Sequence, residues 1–210
     1  MAERIQASGG VAKPFVADVC DVSAVRSLVE AVMTEFGRID ILVNSARVFY
    51  QAPIGETSES DYDRMMDINV KGTFFMIDAV APIMIKQGSG KIINMSSVLG
   101  AMGMGTYAIY CATKAAVNYM TKALAIELAP HNIAVNAILP GNTATPMNEN
   151  IRSQPEFKPL LDIMGSRTPS NRTYSDPEDM AAAALFIASE ENRAMYGALL
   201  ALDEGFSLGA

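Results

Sequence analysis

Histidine and cysteine are scarce in this chain of 210 residues. His131 is its one histidine, which disfavours any mechanism that needs paired histidines or a histidine-rich metal site. The two cysteines, Cys20 and Cys111, form neither a disulfide framework nor a zinc-binding spacing, and this fits a reducing compartment. We therefore predict no metal site and a cytoplasmic protein.

Positive charge is also in short supply. The chain has 16 lysines and arginines against 23 acidic residues, for a formal net charge of −7. This balance disfavours nucleic acid or an anionic membrane as the main partner. The first ten residues have no apolar core of a signal peptide. The uncharged stretch Ile92–Thr113 contains asparagine, serine and glycine, so it predicts a buried strand, a loop and a helix start rather than a membrane span.

Composition and length are those of one globular domain. Half of the residues are apolar and 19% are charged, which argues against disorder. Since a domain averages about 150 residues, we expect residues 1–210 to form a single domain.

Short apolar runs alternate with segments of helical periodicity. This alternation predicts a parallel sheet covered by helices on both faces. The segment 142–175 is polar and contains four prolines, and we interpret it as a mobile substrate lid with a short helix. The predicted strands are Lys13–Val19, Ile39–Ala46, Lys91–Ser97, Asn132–Leu139 and Ala198–Asp203, and the predicted helices run from Asp21 to Gly37, from about Asp61 to Lys86, from about Tyr107 to Leu128, and onward from Asp176.

Chemistry-bearing residues follow the predicted strands, at the edge where such sheets bind ligands. Tyr110 and Lys114 are four residues apart, so a helix places them on one face. A lysine ammonium beside a tyrosine favours the phenolate and lowers its pKa. Alone, the pair also fits an ordinary surface tyrosine and lysine. Ser97 strengthens the catalytic interpretation, because it ends a buried strand 13 residues before Tyr110.

Two asparagines have structural as well as functional interpretations. Asn69 falls in the middle of a predicted helix, where asparagine is unfavourable, and it fits either a kink with a buried hydrogen bond or a catalytic site. Asn44 follows a strand, where it fits either a ligand contact or a link between two strand ends.

Taken together, these motifs resemble the short-chain dehydrogenase/reductase family over essentially the whole chain. The resemblance implies a Rossmann-like, doubly wound parallel sheet. It also implies reversible hydride transfer between NAD or NADP and a secondary alcohol or ketone. The motifs that carry it are Asp18-Val19, DILVNSA at 40–46, INVKG at 68–72, INMSS at 93–97, YCATK at 110–114, PGNTAT at 140–145 and LDEG at 202–205.

The resemblance assigns a role to each residue. It makes Tyr110 the general acid/base and Ser97 the group that polarises the substrate carbonyl. Lys114 lowers the pKa of Tyr110 and binds the nicotinamide ribose, and Asn69 holds a water in a proton relay. Further cofactor contacts are implied for Asp18 and Val19 at the adenine, for Pro140, Gly141, Thr143 and Thr145 at the nicotinamide amide, and for Asn44 and Ala46.

Departures from the family pattern weaken the expected cofactor site. The sequence has no counterpart of the first strand, the TGxxxGxG loop, the following helix and the second strand, so we expect an N-terminally truncated domain with weak dinucleotide binding. Arg47 stands where the family has the glycine of Asn-Asn-Ala-Gly, as an anion contact or an obstruction, and Glu204 interrupts the terminal Asp-Gly-Gly. The alternative is a non-catalytic relative or fragment that keeps the fold and the oligomer interface but binds dinucleotide poorly.

The missing strands also lead to a prediction for the sheet and its assembly. We expect an incomplete sheet of about five strands, in which Phe15–Val19 pairs with Ile41–Asn44 and brings Asp18 near Asn44 and Arg47. The two long helices have more apolar residues than one sheet face needs, which predicts a homodimer or homotetramer. A polyol, a sugar, a small cyclic alcohol or a 3-oxoacyl group would suit the lid as the small-molecule substrate.

Overall fold

The computed structural model describes residues 1–166 and 168–208. Four strands form one parallel sheet in the order β1-β2-β3-β4. Their sequences are apolar and rich in β-branched residues, as expected for strands buried on both faces. The strands are β1 Ile41–Asn44, β2 Gly90–Met95, β3 Ile133–Pro140 and β4 Leu199–Leu202.

Helices connect the strands at the places that the sequence predicts. Asp21 caps α2 by accepting hydrogen bonds from the backbone N–H groups of Ser23 and Ala24, and Gly37 ends this helix at a φ of 75°. The predicted lid contains two short helices rather than one. The helices are α1 Ala2–Ala7, α2 Val22–Phe36, α3 Glu59–Met66, α4 Thr73–Gln87, α5 Ala108–Leu128, α6 Glu149–Ser153, α7 Lys158–Ser166 and α8 Pro177–Ala188, with a π-helical turn at Asp67–Gly72 joining α3 to α4.

Both faces of the sheet are covered, as a Rossmann-like fold requires. On one face, α2, α4 and α5 bury an apolar cluster that includes Val29, Met84 and Leu128 against β1, β2 and β3. On the other face, Met180 and Ile187 of α8 pack against Ile93 and Ile138. Because β2 and β3 are parallel neighbours, their carboxyl ends lie side by side at one edge of a sheet that is covered on both faces.

The prediction of a fifth strand is wrong. Lys13–Val19 forms no strand and does not pair with Ile41–Asn44, so the expected position of Asp18 beside Asn44 and Arg47 loses its basis. Pro14 has no N–H to donate to a ladder. Val16 is fully exposed, and Val19 packs so closely on Gly72 that a Cβ there would lie 2.8 Å from it. This segment is held by helix contacts and by the turn before α2.

The continuous helix Glu59–Gln87 is long and apolar enough to cross a membrane by length and composition alone. In the structure, however, it buries Ile77, Val80 and Met84 in the core cluster beside the sheet. We therefore interpret it as a core helix. The uncharged stretch Ile92–Thr113 folds into a strand, a loop and the start of α5, as predicted.

Candidate active site

A cavity of about 330 Å³ opens at the carboxyl ends of β2 and β3. The start of α5 closes one side of it, and the segment after β3 closes the other. Six residues predicted for catalysis or cofactor binding line it: Ser97, Tyr110, Pro140, Gly141, Thr143 and Thr145. The fold thus brings together groups that are up to 48 residues apart in the sequence.

Tyr110 lies in the first turn of α5 and is 5% exposed. The ring of Phe49 meets it edge-on, with a centroid separation of 4.8 Å. Burial raises the pKa of Tyr110 above its ordinary value, and the positive charge of Arg47 and the Ser97 hydroxyl pull it back in part. The phenol is thereby held neutral in an apolar setting with a cation nearby.

Lys114 lies one helical turn after Tyr110 and is 2% exposed. Its Nζ donates a hydrogen bond of 2.8 Å to the carbonyl of Met95 and lies 5.8 Å from the centroid of the Tyr110 ring. Burial, with repulsion by Arg47, lowers the pKa of Lys114 to about 7. A lysine with that pKa is only partly charged at neutral pH. In this structure, the positive charge of Arg47 lowers the pKa of Tyr110. The contribution of Lys114 to lowering that pKa stays a prediction.

Ser97 follows the last residues of β2 and is fixed by two backbone contacts. Its Oγ accepts a hydrogen bond of 3.2 Å from the N–H of Leu99 and donates one of 3.5 Å to the carbonyl of Pro140. These contacts hold the hydroxyl between the ends of β2 and β3, facing the same cavity as Tyr110.

Asn69 is buried in the π-helical turn, and its side chain has a structural task. Its Oδ1 accepts from the N–H of Val48 at 2.9 Å, while its Nδ2 donates to the carbonyl of Val48 at 3.0 Å and to Thr113 Oγ1 at 3.2 Å. The buried hydrogen bonds considered from the sequence therefore occur, within a π-helical turn. The proton-relay role of Asn69 stays a prediction.

Besides Lys114, which lies behind Tyr110, four predicted cofactor residues lie outside the lining of this cavity. Asn44 Nδ2 donates to Asn94 Oδ1 at 2.9 Å, so its side chain ties β1 to β2. Ala46 is exposed, and the Asp18 carboxylate accepts from the N–H of Cys20 at 2.9 Å. Val19 packs on Gly72. The Asn44 side chain thus links two strand ends, which is one of the two interpretations that the sequence allows. The cofactor roles of these four residues stay predictions.

The groups in and behind the cavity suit the nicotinamide end of a dinucleotide. Thr143 Oγ1 is buried and has no hydrogen-bond partner among the described residues. A buried hydroxyl without a partner is costly and suits a ligand amide. The ammonium of Lys114 has three donors, of which one is used by the carbonyl of Met95. These free polar groups fit a ribose and a carboxamide.

Some lining residues had no signal in the sequence. Phe49 stacks on Tyr107 with parallel rings 4.8 Å apart, and Met147 and Ile151 reach the cavity from the lid. They come from loops, whose course the periodicity of the chain does not reveal. Arg167, in the predicted lid, lies outside the described residues.

The lid is tied to the C-terminal turn by one of the departures from the family pattern. Glu204 adopts a φ of 59°, a backbone conformation that glycine adopts more easily. Its carboxylate accepts from Ser175 Oγ at 3.0 Å and pairs with Arg172 at 3.3 Å. These contacts compensate for the strained backbone and connect the lid to the end of β4.

Comparison with known proteins gives consistent matches. A family model described as "Enoyl-(Acyl carrier protein) reductase" matches residues 1–207. The chain is 39% identical to the 3-oxoacyl-[acyl-carrier-protein] reductase FabG of Thermotoga maritima, covering 93% of this chain and 77% of that protein. It is 40% identical to the 2-dehydro-3-deoxy-D-gluconate 5-dehydrogenase of Dickeya dadantii, covering 97% and 79%.

A solved structure gives the same result at the level of the fold. The gluconate 5-dehydrogenase of Burkholderia cenocepacia, in complex with NADP and tartrate, superposes with a TM-score of 0.92 at 33% identity. The match covers 100% of this chain and 80% of that one, and it does not confirm the expected truncation. With the hydroxyls of Ser97 and Tyr110 in one cavity and Lys114 behind them, the chain belongs to the short-chain dehydrogenase/reductase family.

Proposed function

We propose that this chain transfers hydride reversibly between NAD or NADP and a secondary alcohol or ketone. The observation that carries the proposal is the shared cavity of Ser97 and Tyr110, with Lys114 buried one helical turn behind the tyrosine. A dehydrogenase needs a proton donor and acceptor at the substrate oxygen and a site for the nicotinamide beside it. The described residues supply the first and fit the second.

Each residue acts through its position. The Tyr110 hydroxyl gives a proton to the substrate oxygen during reduction and takes it back during oxidation. Ser97 donates a hydrogen bond to the same oxygen and polarises the carbonyl. Lys114 and Thr143 hold the ribose and the carboxamide. The dinucleotide, when bound, supplies or accepts the hydride.

The names of relatives support the reaction type more than a substrate. They include an acyl-carrier-protein reductase, a threitol dehydrogenase and a gluconate 5-dehydrogenase. All of these names fit a secondary alcohol or its ketone. The neighbour bound to NADP supports a nicotinamide dinucleotide and leaves the choice between NAD and NADP open.

The proposal is tested first by binding. We expect calorimetric titration of NAD and NADP to show saturable binding. Binding in the micromolar range supports the enzyme. Absence of binding at millimolar dinucleotide would support the non-catalytic alternative instead.

The second test of the proposal removes the hydroxyl group of Tyr110. In Tyr110→Phe, the ring and its packing on Phe49 are kept while the transferable proton is lost. General acid/base steps contribute about 10²–10⁴-fold, so kcat should fall by that range. Lys114→Ala should lower kcat as well and move the pH optimum upward. An undiminished rate in Tyr110→Phe would refute the assignment.

A further inference from the structure

Arg47 occupies a position between two cavities. It lines the cavity of Ser97 and Tyr110, and it also lines a neighbouring cavity of about 370 Å³. Phe49 and Met147 are shared by both linings, so the arginine stands at the boundary between the catalytic cavity and a second cavity formed mainly by the loop after β1 and by α3. Its Nη2 is 3.9 Å from Met147 Sδ.

The guanidinium of Arg47 has no acidic partner among residues 1–166 and 168–208. It is absent from the six ion pairs found there, although it is partly buried. The described lining of the catalytic cavity contains no aspartate or glutamate. A cation that is partly withdrawn from water and has no counter-ion is unfavourable, and a ligand that supplies the negative charge would offset this cost.

The second cavity does not supply that charge either. Its lining has one carboxylate, Asp61, with two arginines, Arg47 and Arg64. Asp61 already accepts a hydrogen bond of 2.6 Å from Ser58 Oγ at the start of α3. The formal charge of the two linings together is therefore positive, in a chain whose overall charge is −7.

We infer that Arg47 binds a carboxylate of the substrate, and that the substrate is a hydroxy acid or the corresponding oxo acid. The inference rests on the proposed function and names its substrate class. The guanidinium presents paired N–H donors in a planar fork that matches the two oxygens of a carboxylate. Because Arg47 and Tyr110 line the same cavity, the carboxylate lies a few carbons from the reacting carbon.

The carboxylate is unchanged by the reaction. In oxidation, the carbinol carbon gives its hydride to the nicotinamide and the hydroxyl gives its proton to Tyr110, so an oxo acid forms. Arg47 orients the substrate and takes no part in bond breaking. It is therefore a specificity-determining residue.

The charge of Arg47 also reaches the catalytic groups. It lowers the pKa of both Tyr110 and Lys114. A bound carboxylate offsets this charge, so the pKa of Tyr110 should be higher with an acidic substrate than with a neutral one. Oxidation needs the deprotonated phenol, and the pH–rate profile should move to higher pH when Arg47 is replaced by a neutral residue.

The test compares acids with alcohols of the same carbon chain. Gluconate is paired with glucitol, and 3-hydroxybutanoate with 1,3-butanediol, in calorimetric titrations with and without NADP. Hydrogen bonds to a charged group correspond to about 10–100-fold in affinity. We expect at least one acid to bind the wild-type chain that much more tightly than its alcohol partner.

Variants assign this preference to the guanidinium. Arg47→Met should remove the preference for the acid and leave binding of the alcohol within about twofold, while Arg47→Lys should keep part of it. Arg26→Met is the matched control, because Arg26 is exposed on α2, outside both cavities. It should behave as the wild type does.

The outcomes separate this inference from the proposed function. Equal affinity for acid and alcohol in both wild-type pairs overturns the inference. So does a preference that survives in Arg47→Met. A fall in NADP affinity alone would assign the anion to a phosphate of the dinucleotide and overturn it as well. Failure of Tyr110→Phe to lower turnover, with the acid preference intact, would refute the catalytic proposal and keep the anion site.

Discussion

At the scale of single residues, the site depends on charges that are held out of water. Lys114 is 2% exposed, and the one hydrogen bond of its Nζ among the described contacts is to the carbonyl of Met95. Its pKa falls from 10.5 to about 7 because burial disfavours the ammonium. Arg47 adds repulsion from the cavity side. Burial of the charged form of Lys114 therefore lowers the stability of the fold.

This cost predicts a pH-dependent difference between the wild type and Lys114→Met. Below about pH 7 the lysine is charged in both the folded and the unfolded state, so the full cost of burial applies. Between about 7 and 10.5 only the unfolded state holds the proton, so the stability of the wild type rises relative to the variant. The slope is at most about 1.4 kcal/mol per pH unit.

Urea unfolding at pH 6, 7.5 and 9 measures this difference. The free energy of unfolding of the wild type should gain on that of Lys114→Met with each step above pH 7. Lys122→Met is the control, because Lys122 is exposed on the same helix and should show no such trend. A constant difference across the three pH values would contradict the lowered pKa.

At the scale of secondary-structure elements, the π-helical turn Asp67–Gly72 connects the loop after β1 to the site. A π-helical turn shifts the register of a helix and often occurs at functional sites. Here it presents Asn69 to both backbone polar groups of Val48. The same side chain reaches Thr113, which lies on α5 between Tyr110 and Lys114. Asn69 therefore links the loop that contains Arg47 to the helix that contains the tyrosine.

Asn69→Ala should loosen this connection. It leaves the N–H and the carbonyl of Val48 without their partners, and an unpaired buried polar group costs roughly 1–3 kcal/mol. We expect the free energy of unfolding to fall by that amount. Asn150→Ala, at an exposed position on α6, should change stability by much less. Equal stability of the two variants would show that water replaces the amide at no cost.

The sequence predicts elements well where the signal is local. Asp21 and Gly37 define α2 through capping, and α5 contains both Tyr110 and Lys114, as their four-residue spacing predicts. The predicted strand Lys13–Val19 is wrong because strand pairing is a long-range contact, and apolar residues alone do not show whether a partner strand is available. Val19 of this segment packs against Gly72 of the π-helical turn instead.

The candidate site divides in the same way. The hydroxyl and lysine positions follow from strand ends and helix spacing, which are regular. Phe49 and Met147 line the cavity because of the path of two loops, and a loop has no periodic pattern in the sequence that would predict this path. The sequence also could not show whether Arg47 has an acidic partner, because this depends on which carboxylates lie near it in the folded chain.

At the scale of the whole molecule, apolar surface remains after the core is formed. Tyr119 and Ile126 of α5 are 71% and 79% exposed, and they lie seven residues apart on one face of the helix. Phe74 of α4 is 40% exposed. Their opposite faces already cover the sheet, so this surface is not needed by the fold. Exposed apolar helix faces of this kind are typical of protein–protein interfaces.

We therefore expect a homodimer or homotetramer that buries the outer face of α5. Sedimentation at micromolar concentration should give two or four times the 22.5 kDa of the chain. Ile126→Glu places a charge in that face and should shift the distribution toward the single chain, because burying an unpaired carboxylate is unfavourable. Val16→Glu is the control, since Val16 is fully exposed on the segment before α2 and outside the face in question. A wild-type species of only 22.5 kDa would refute the assembly, and dissociation by both variants alike would place the interface elsewhere.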